Sequence, residues 1–228
     1  MSVTFRVISI GALAAHPLWN ERGEVRPSHA TTTLITAGKA NILVDPSLPP
    51  QLLIPRLAER ANLKPEQITH VFLTCLHPGH RRGLKAFEKA EWLVSTVERE
   101  TIGVQLVQKF HEARDADDKD LTHTLFHEIE TIERVKPAPD SLAGGVDLFP
   151  LYGVTPGTAG LLLALRGSTV LVAGDAVPTQ EHLEQGQVLS PCHDLAQARE
   201  SFLEAVEIAD FLIAGRDNVL INQTRRPF

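Results

Sequence analysis

The chain has 228 residues, 43% of them hydrophobic and 22% charged, a balance that suits a globular protein with a sizeable core. Its formal charge of −6 is spread thinly, and the pairs Arg81–Arg82 and Arg225–Arg226 are too short to form a polyanion-binding run, so neither nucleic acid nor an anionic membrane surface is expected as a partner. No stretch approaches the roughly 20 apolar residues that a membrane helix needs.

The N-terminal segment contains the small residues Ala12, Leu13, Ala14 and Ala15, but it has no basic leader and no long apolar centre. Residues 4–10 (TFRVISI) therefore read as a strand rather than a signal peptide. Residues 31–35 and 41–44 flank Gly38 and predict a hairpin. Pro49 and Pro50 introduce a helix with Leu53, Leu57 and Ala61 at helical spacing. A β-branched run over 68–74 predicts a strand that stops at Cys75. Helices are predicted over 83–90 and 97–110, around a short strand at 92–94.

Residues 111–143 are polar, carry the acidic cluster around Asp115 to Asp120, and end in Pro137 and Pro139. One helix near 121–132 with loops on either side is expected there, as a variable insertion. Strands return at 146–151, and 161–165 and 169–173 form a hairpin across Arg166, Gly167 and Ser168. Both hairpin strands are continuously apolar, as strands covered on both faces must be. Asp194 is placed to cap a helix carrying Leu195, Ala198, Phe202, Ala205, Val206 and Ala209, and 211–213 is a last short strand. Two blocks of strands, each followed by helices, predict two sheets packed face to face with helices outside.

Five segments carry chemistry in a recognisable order: NILVDPS at 41–47, ITHVFLTCLHPGHRRG at 68–83, VTPGTAG at 154–160, VLVAGDAV at 170–177 and FLIAGRDN at 211–218. Together they resemble the metallo-β-lactamase superfamily, whose loop after the second of these strands normally reads His-x-His-x-Asp-His. The resemblance implies one α/β domain over 1–228, a four-layer αββα sandwich with its site at one edge, where the loops after Val44, Thr74, Tyr152, Ala173 and Ala214 converge. In the family, imidazoles and carboxylates hold two metals about 3.5–4 Å apart, which activate a bridging hydroxide and polarise the substrate.

Carried over residue by residue, the resemblance places Cys75, His77, Gly79 and His80 at the loop's ligand positions, Thr158 in the Thr-Pro-Gly turn, Asp175 at the bridging carboxylate and Arg216 at the last histidine. His77, His80 and Asp175 are unchanged, and Cys75 can still ligate as a thiolate. Gly79 has no side chain, Thr158 is a poor donor and Arg216 repels a cation. Asp45 is expected beneath the site and His182 at the cleft mouth. Arg216 is expected to pair with Asp175 and to take the electrostatic role of the second metal.

The implied cofactor is none, or one zinc on Cys75, His77 and Asp175 with His80 or water completing it. Enzyme status stays open. One reading is a divergent protein without the intact dinuclear site, binding a small molecule in the old pocket or playing a non-catalytic role. A second is a mononuclear zinc hydrolase of an ester, thioester, lactone or phosphoester, with Cys75 and Asp175 as catalytic candidates. A third is a metal-free thiol enzyme with Cys75 as nucleophile and His77 as base, whose side chains point to the same side at i, i+2 on a strand. His123 and His127 stand at i, i+4 on a predicted helix, but the residue after the first is Thr124, so no zincin motif is formed. The two cysteines, Cys75 and Cys192, make no disulfide framework, and a cytoplasmic protein is expected.

Overall fold

The computed structural model describes residues 3–223; Arg225 and Arg226 lie outside the described residues. Strands β1 (Val3–Ser9), β2 (Thr32–Ala37), β3 (Ala40–Val44), β4 (His70–Phe72), β5 (Glu91–Val94) and β6 (Lys136–Pro137) form one sheet in that order. Strands β7 (Ser141–Ala143), β8 (Val146–Pro150), β9 (Ala159–Leu165), β10 (Ser168–Gly174), β11 (Phe211–Ala214) and β12 (Val219–Ile221) form a second, ordered β12-β11-β10-β9-β8-β7. The β2–β3 hairpin is antiparallel with Ala37 opposite Ala40, whereas β3, β4 and β5 run parallel, so their C-terminal ends open on one edge. In the second sheet β10 and β11 are the parallel pair, and they deliver their following loops to that same edge.

Successive strand residues face opposite ways, so a strand covered on both faces needs an unbroken apolar run. Ile35, Ile42, Val44, Phe72 and Leu93 point inward and meet Leu161, Leu163, Val170, Val172 and Ile213 between the sheets. Their neighbours Leu34, Leu43, Val71 and Val94 point outward, against Leu53 and Leu57 of α1 (Pro50–Ala61). On the far side Leu171, Ala173 and Leu212 pack on Phe202 and Ala205 of α5 (Leu195–Ile208). Each fully buried Leu, Ile or Phe contributes about 1.5–3 kcal/mol, and the periodicity of these runs is what selects the αββα layers. The short α4 (Gln180–Gln185) follows the loop after β10. Helix α5 begins where Asp194 Oδ1 accepts from the Gln197 amide at 3.0 Å.

Local structure departs from the sequence expectations in four places. Strand β4 ends at Phe72, because the Thr74 amide turns to the Asp45 carboxylate at 2.9 Å instead of a neighbouring strand. The segment expected to be helical over 83–90 is a single 3₁₀ turn, Leu84–Phe87. Helix α2 (Thr96–Asp115) runs five residues past its expected end, so the loop before the next helix shrinks to the turn at 116–118. That helix, α3 (Lys119–Glu133), packs along α2, and the segment after it carries β6 and β7. Among the described residues no helix is long and apolar enough to cross a membrane.

Candidate functional site

The site begins at the end of β3. Asp45 has a left-handed backbone (φ 47°), a conformation that Asp tolerates better than most residues, and its side chain turns across to β4. Oδ1 accepts from the Thr74 amide at 2.9 Å, and Oδ2 accepts from Thr74 Oγ1 at 2.7 Å. Oδ2 also lies 3.0 Å from Nδ1 of His80, which is fully buried at the end of the 3₁₀ turn Pro78–His80. The other imidazole nitrogen, Nε2, is 3.0 Å from Asp175 Oδ2.

Asp175 follows β10 directly, and Gly215 follows β11. A Cβ on Gly215 would stand 2.5 Å from Asp175 Oδ1, so only glycine lets this loop pass so close beneath the carboxylate. The next residue, Arg216, turns back over it. Its Nε donates to Asp175 Oδ1 at 2.8 Å and its Nη2 to Oδ2 at 2.7 Å, a bidentate pair; Nη1 donates to Ser28 Oγ at 3.1 Å. Both partners are buried, Arg216 8% and Asp175 6% exposed.

Charge accounting gives the state of this network. Burial alone would raise the Asp175 carboxyl, but the Arg216 guanidinium and the His80 ring hold it far below the usual carboxylate range. Burial works against a charged His80, yet the facing Asp175 and Asp45 carboxylates hold its pKa well above the ordinary imidazole range. As an imidazolium, His80 donates to both carboxylates, and two anions balance two cations. A neutral ring with the proton on Nδ1 would accept from Arg216 Nη2 at 2.8 Å through Nε2 but would also set that bare nitrogen 3.0 Å from Asp175 Oδ2, acceptor against acceptor. The cost of the charged form is the 2.8 Å approach of Arg216 Nη2 to His80 Nε2, relieved by the oxygen that both address.

The other expected site residues divide between this network and its surroundings. Cys75 is buried against His80, and burial pushes its thiol pKa up. His77 is exposed, and its Nδ1 accepts from the Gly79 amide at 3.1 Å. Strand β4 has ended before Cys75, so the strand face expected to be shared by Cys75 and His77 is not formed, and the imidazole against the thiol is that of His80. Thr158 spends its hydroxyl inside its own turn, on the Thr155 amide at 2.9 Å and Thr155 Oγ1 at 2.6 Å. His182, expected at the cleft mouth, is buried: its Nδ1 is 2.9 Å from Thr179 Oγ1, which also meets His16 Nε2 at 3.1 Å.

Sequence reasoning missed Glu98. Its fully buried carboxylate accepts from the Leu76 amide at 2.9 Å, Thr155 Oγ1 at 2.7 Å and the Gly157 amide at 2.9 Å. It thus ties the loop after β4 to the Thr-Pro-Gly turn. Gly157 must be small here, since a Cβ would stand 2.0 Å from the Glu98 nitrogen. The available signal was Ser95-Thr-Val-Glu98, a capping-box pattern; Ser95 Oγ does accept from the Glu98 amide at 3.2 Å, but the carboxylate reaches outward instead of back. Ser28 and His16, on the loop between β1 and β2, were also not singled out as belonging to the site.

Tested against a metal, the donors at this place do not fit. Both Asp175 oxygens and both His80 nitrogens already face protein partners, the guanidinium of Arg216 occupies the space in front of the carboxylate, and His77 is turned to its own loop. Among the described residues no group of three or more His, Cys, Asp or Glu side chains is arranged to hold an ion. Two shallow clefts meet at Arg216. One, of about 240 Å³, is bounded by Leu13, His16, Trp19, Thr179 and Glu181. The other, of about 320 Å³, is bounded by Ala14, Pro17, Ser28, Leu189 and Pro191.

The family model described as the metallo-β-lactamase superfamily matches residues 25–213. No curated protein matches the sequence. Among solved structures, a Thermotoga maritima protein named for the metallo-β-lactamases is similar at 17% identity, covering 97% of this chain and 100% of that one, with a TM-score of 0.69. The dizinc quorum-quenching lactonase AidC, in complex with a product, is similar at 17% identity, 90% and 80% coverage and a TM-score of 0.63. A point variant of AiiA from B. thuringiensis with N-decanoyl-L-homoserine bound is similar at 18% identity, 91% and 88% coverage and a TM-score of 0.61. At these identities the likeness is one of fold.

Proposed function

The chain belongs to the metallo-β-lactamase superfamily, and from that premise we propose that it is a pseudoenzyme in which an ion-pair network replaces the dinuclear centre and a small molecule binds in the clefts beside Arg216. The chain lacks the intact dinuclear site: Gly79, Thr158 and Arg216 stand at three of its ligand positions. The observation that carries the reading is the guanidinium of Arg216 bonded to both oxygens of Asp175. A permanent cation there supplies what a second dication would supply to the bridging carboxylate, without an open coordination position. The clefts on either side of Arg216 support a ligand of small size, and the Arg216–Ser28 contact at 3.1 Å is the one bond of the guanidinium that a ligand's acceptor could replace without uncovering a buried charge. The two free cysteines suit a reducing, cytoplasmic setting.

The test is metal content after purification without chelator or nickel column and exhaustive dialysis against metal-free buffer. We expect well under one retained ion per chain. Two retained ions overturn the proposal, and a single retained zinc lost in Cys75→Ala supports the competing mononuclear hydrolase on Cys75, His77 and Asp175. The combined reversion Gly79→Asp, Thr158→His and Arg216→His, with Cys75→His, should create tight metal retention. A Cβ at Gly79 would stand 3.1 Å from His77 Nδ1 and 4.0 Å from Arg216 Nη1, so a carboxylate there enters the space that Arg216 vacates.

A further inference from the structure

Helix α3 carries a pair of side chains that the Asp175 network does not use. His123 and His127 stand about one turn apart and both are exposed. Their Nε2 atoms are 3.2 Å apart, with the rings nearly perpendicular at 87°. Glu130 Oε2 lies 2.9 Å from Nδ1 of His127. A carboxylate only accepts, so Nδ1 of His127 carries a proton, and in the neutral ring Nε2 presents a lone pair toward His123.

Two imidazole nitrogens bound to one ion at about 2.0–2.1 Å stand roughly 2.9–3.4 Å apart for angles between a square and a tetrahedral corner. The observed separation falls inside that window. We propose that His123 and His127 form a bidentate site for a late first-row divalent ion (Cu²⁺, Ni²⁺ or Zn²⁺), with Glu130 orienting His127. Imidazole pairs suit these ions, and the Irving–Williams order makes copper the tightest. A carboxylate on the far nitrogen of a ligating histidine is the usual way such a ring is fixed and made more basic. Without the ion, His123 Nε2–H donates to His127 Nε2. When the ion binds, that proton passes through solvent to His123 Nδ1, so both Nε2 atoms ligate and no proton is lost. Water completes the coordination, so the site is open and exchangeable, unlike a closed structural centre. The ion bridges successive turns of α3 and stabilises the helix that packs along α2.

The test uses the full chain in metal-free buffer, titrated with Ni²⁺ by calorimetry and with Cu²⁺ by electron paramagnetic resonance. We expect one ion per chain, two-nitrogen hyperfine structure, and a raised thermal midpoint on adding Ni²⁺. His127→Asn or His123→Asn should leave a one-nitrogen signal, and Glu130→Gln should weaken binding about tenfold. Retention of full binding in the double variant His123→Asn/His127→Asn would put the ion elsewhere, the old centre included, and overturn the proposal. Unchanged affinity in Glu130→Gln would overturn the orienting role of that carboxylate.

Discussion

Replacing Arg216 by Met keeps much of the side-chain volume and removes the charge. Two charge-assisted bonds to Asp175 are lost, at 2.8 and 2.7 Å, together with the bond to Ser28. The carboxylate left behind is 6% exposed and has only His80 opposite it. Removing one partner of a buried pair costs about 3–5 kcal/mol, most of it the uncompensated charge. For a chain of this size that lowers the thermal midpoint by roughly 6–20 °C. Asp175→Asn alone should also destabilise, by stranding the guanidinium. The double variant should be milder than the sum by roughly 1–3 kcal/mol, because Asp45 and His80 still balance each other.

Urea denaturation followed by circular dichroism measures all four corners of this cycle. The folded Asp175 carboxyl titrates below its unfolded counterpart, so its contribution is complete above about pH 4 and fades as the pH falls further. The gap between wild type and Arg216→Met should shrink in the same direction. Loss of less than about 1 kcal/mol in Arg216→Met at pH 7, or strict additivity in the double variant, would refute the argument that this pair joins β10 to β11 energetically.

Other measurements probe the surroundings. His80 titrates above its unfolded counterpart in the fold, so its stabilisation is present below about pH 6.5 and should be lost as the pH rises toward the folded value; His80→Gln should flatten that limb of a stability–pH profile. Glu98→Gln can keep an amide oxygen on the Thr155 and Gly157 donors only by setting its NH₂ against the Leu76 amide, and should cost about 1–3 kcal/mol in the same denaturation assay. With an aromatic disulfide reagent, Cys192 should react in the folded protein, whereas Cys75, buried and with its thiol raised, should react only on unfolding. Equal rates for the two thiols would contradict the burial of Cys75 against His80.

How much of this was legible beforehand depends on the range of the interactions. The hairpin of β9 and β10 and the cap at Asp194 are local, and the apolar runs and turn residues specify them directly. The pairing of Asp175 with Arg216 was legible only through the family resemblance, since 41 residues separate the two. Helix α2 was read too short because it buries only Glu98 and Ala113 and so displays no apolar stripe beyond Phe110. Strand β6 is two exposed residues, Lys136 and Pro137, held by main-chain pairing to β5, and nothing in their side chains announces a strand. The role of Glu98 was hidden for the opposite reason: its sequence context is a complete local explanation, yet tertiary donors outcompete the cap.

The bidentate contact between Arg216 and Asp175 also changes what the cell must provide. Where an ion joins two loops, a chelator or a shortage of that ion leaves the joint incomplete. Here the cation is translated with the chain, one per copy, in a form that no chelator withdraws and no competing ion displaces. The loops after β10 and β11 are thus joined by side chains of the chain itself, through the two bonds of Arg216 to Asp175.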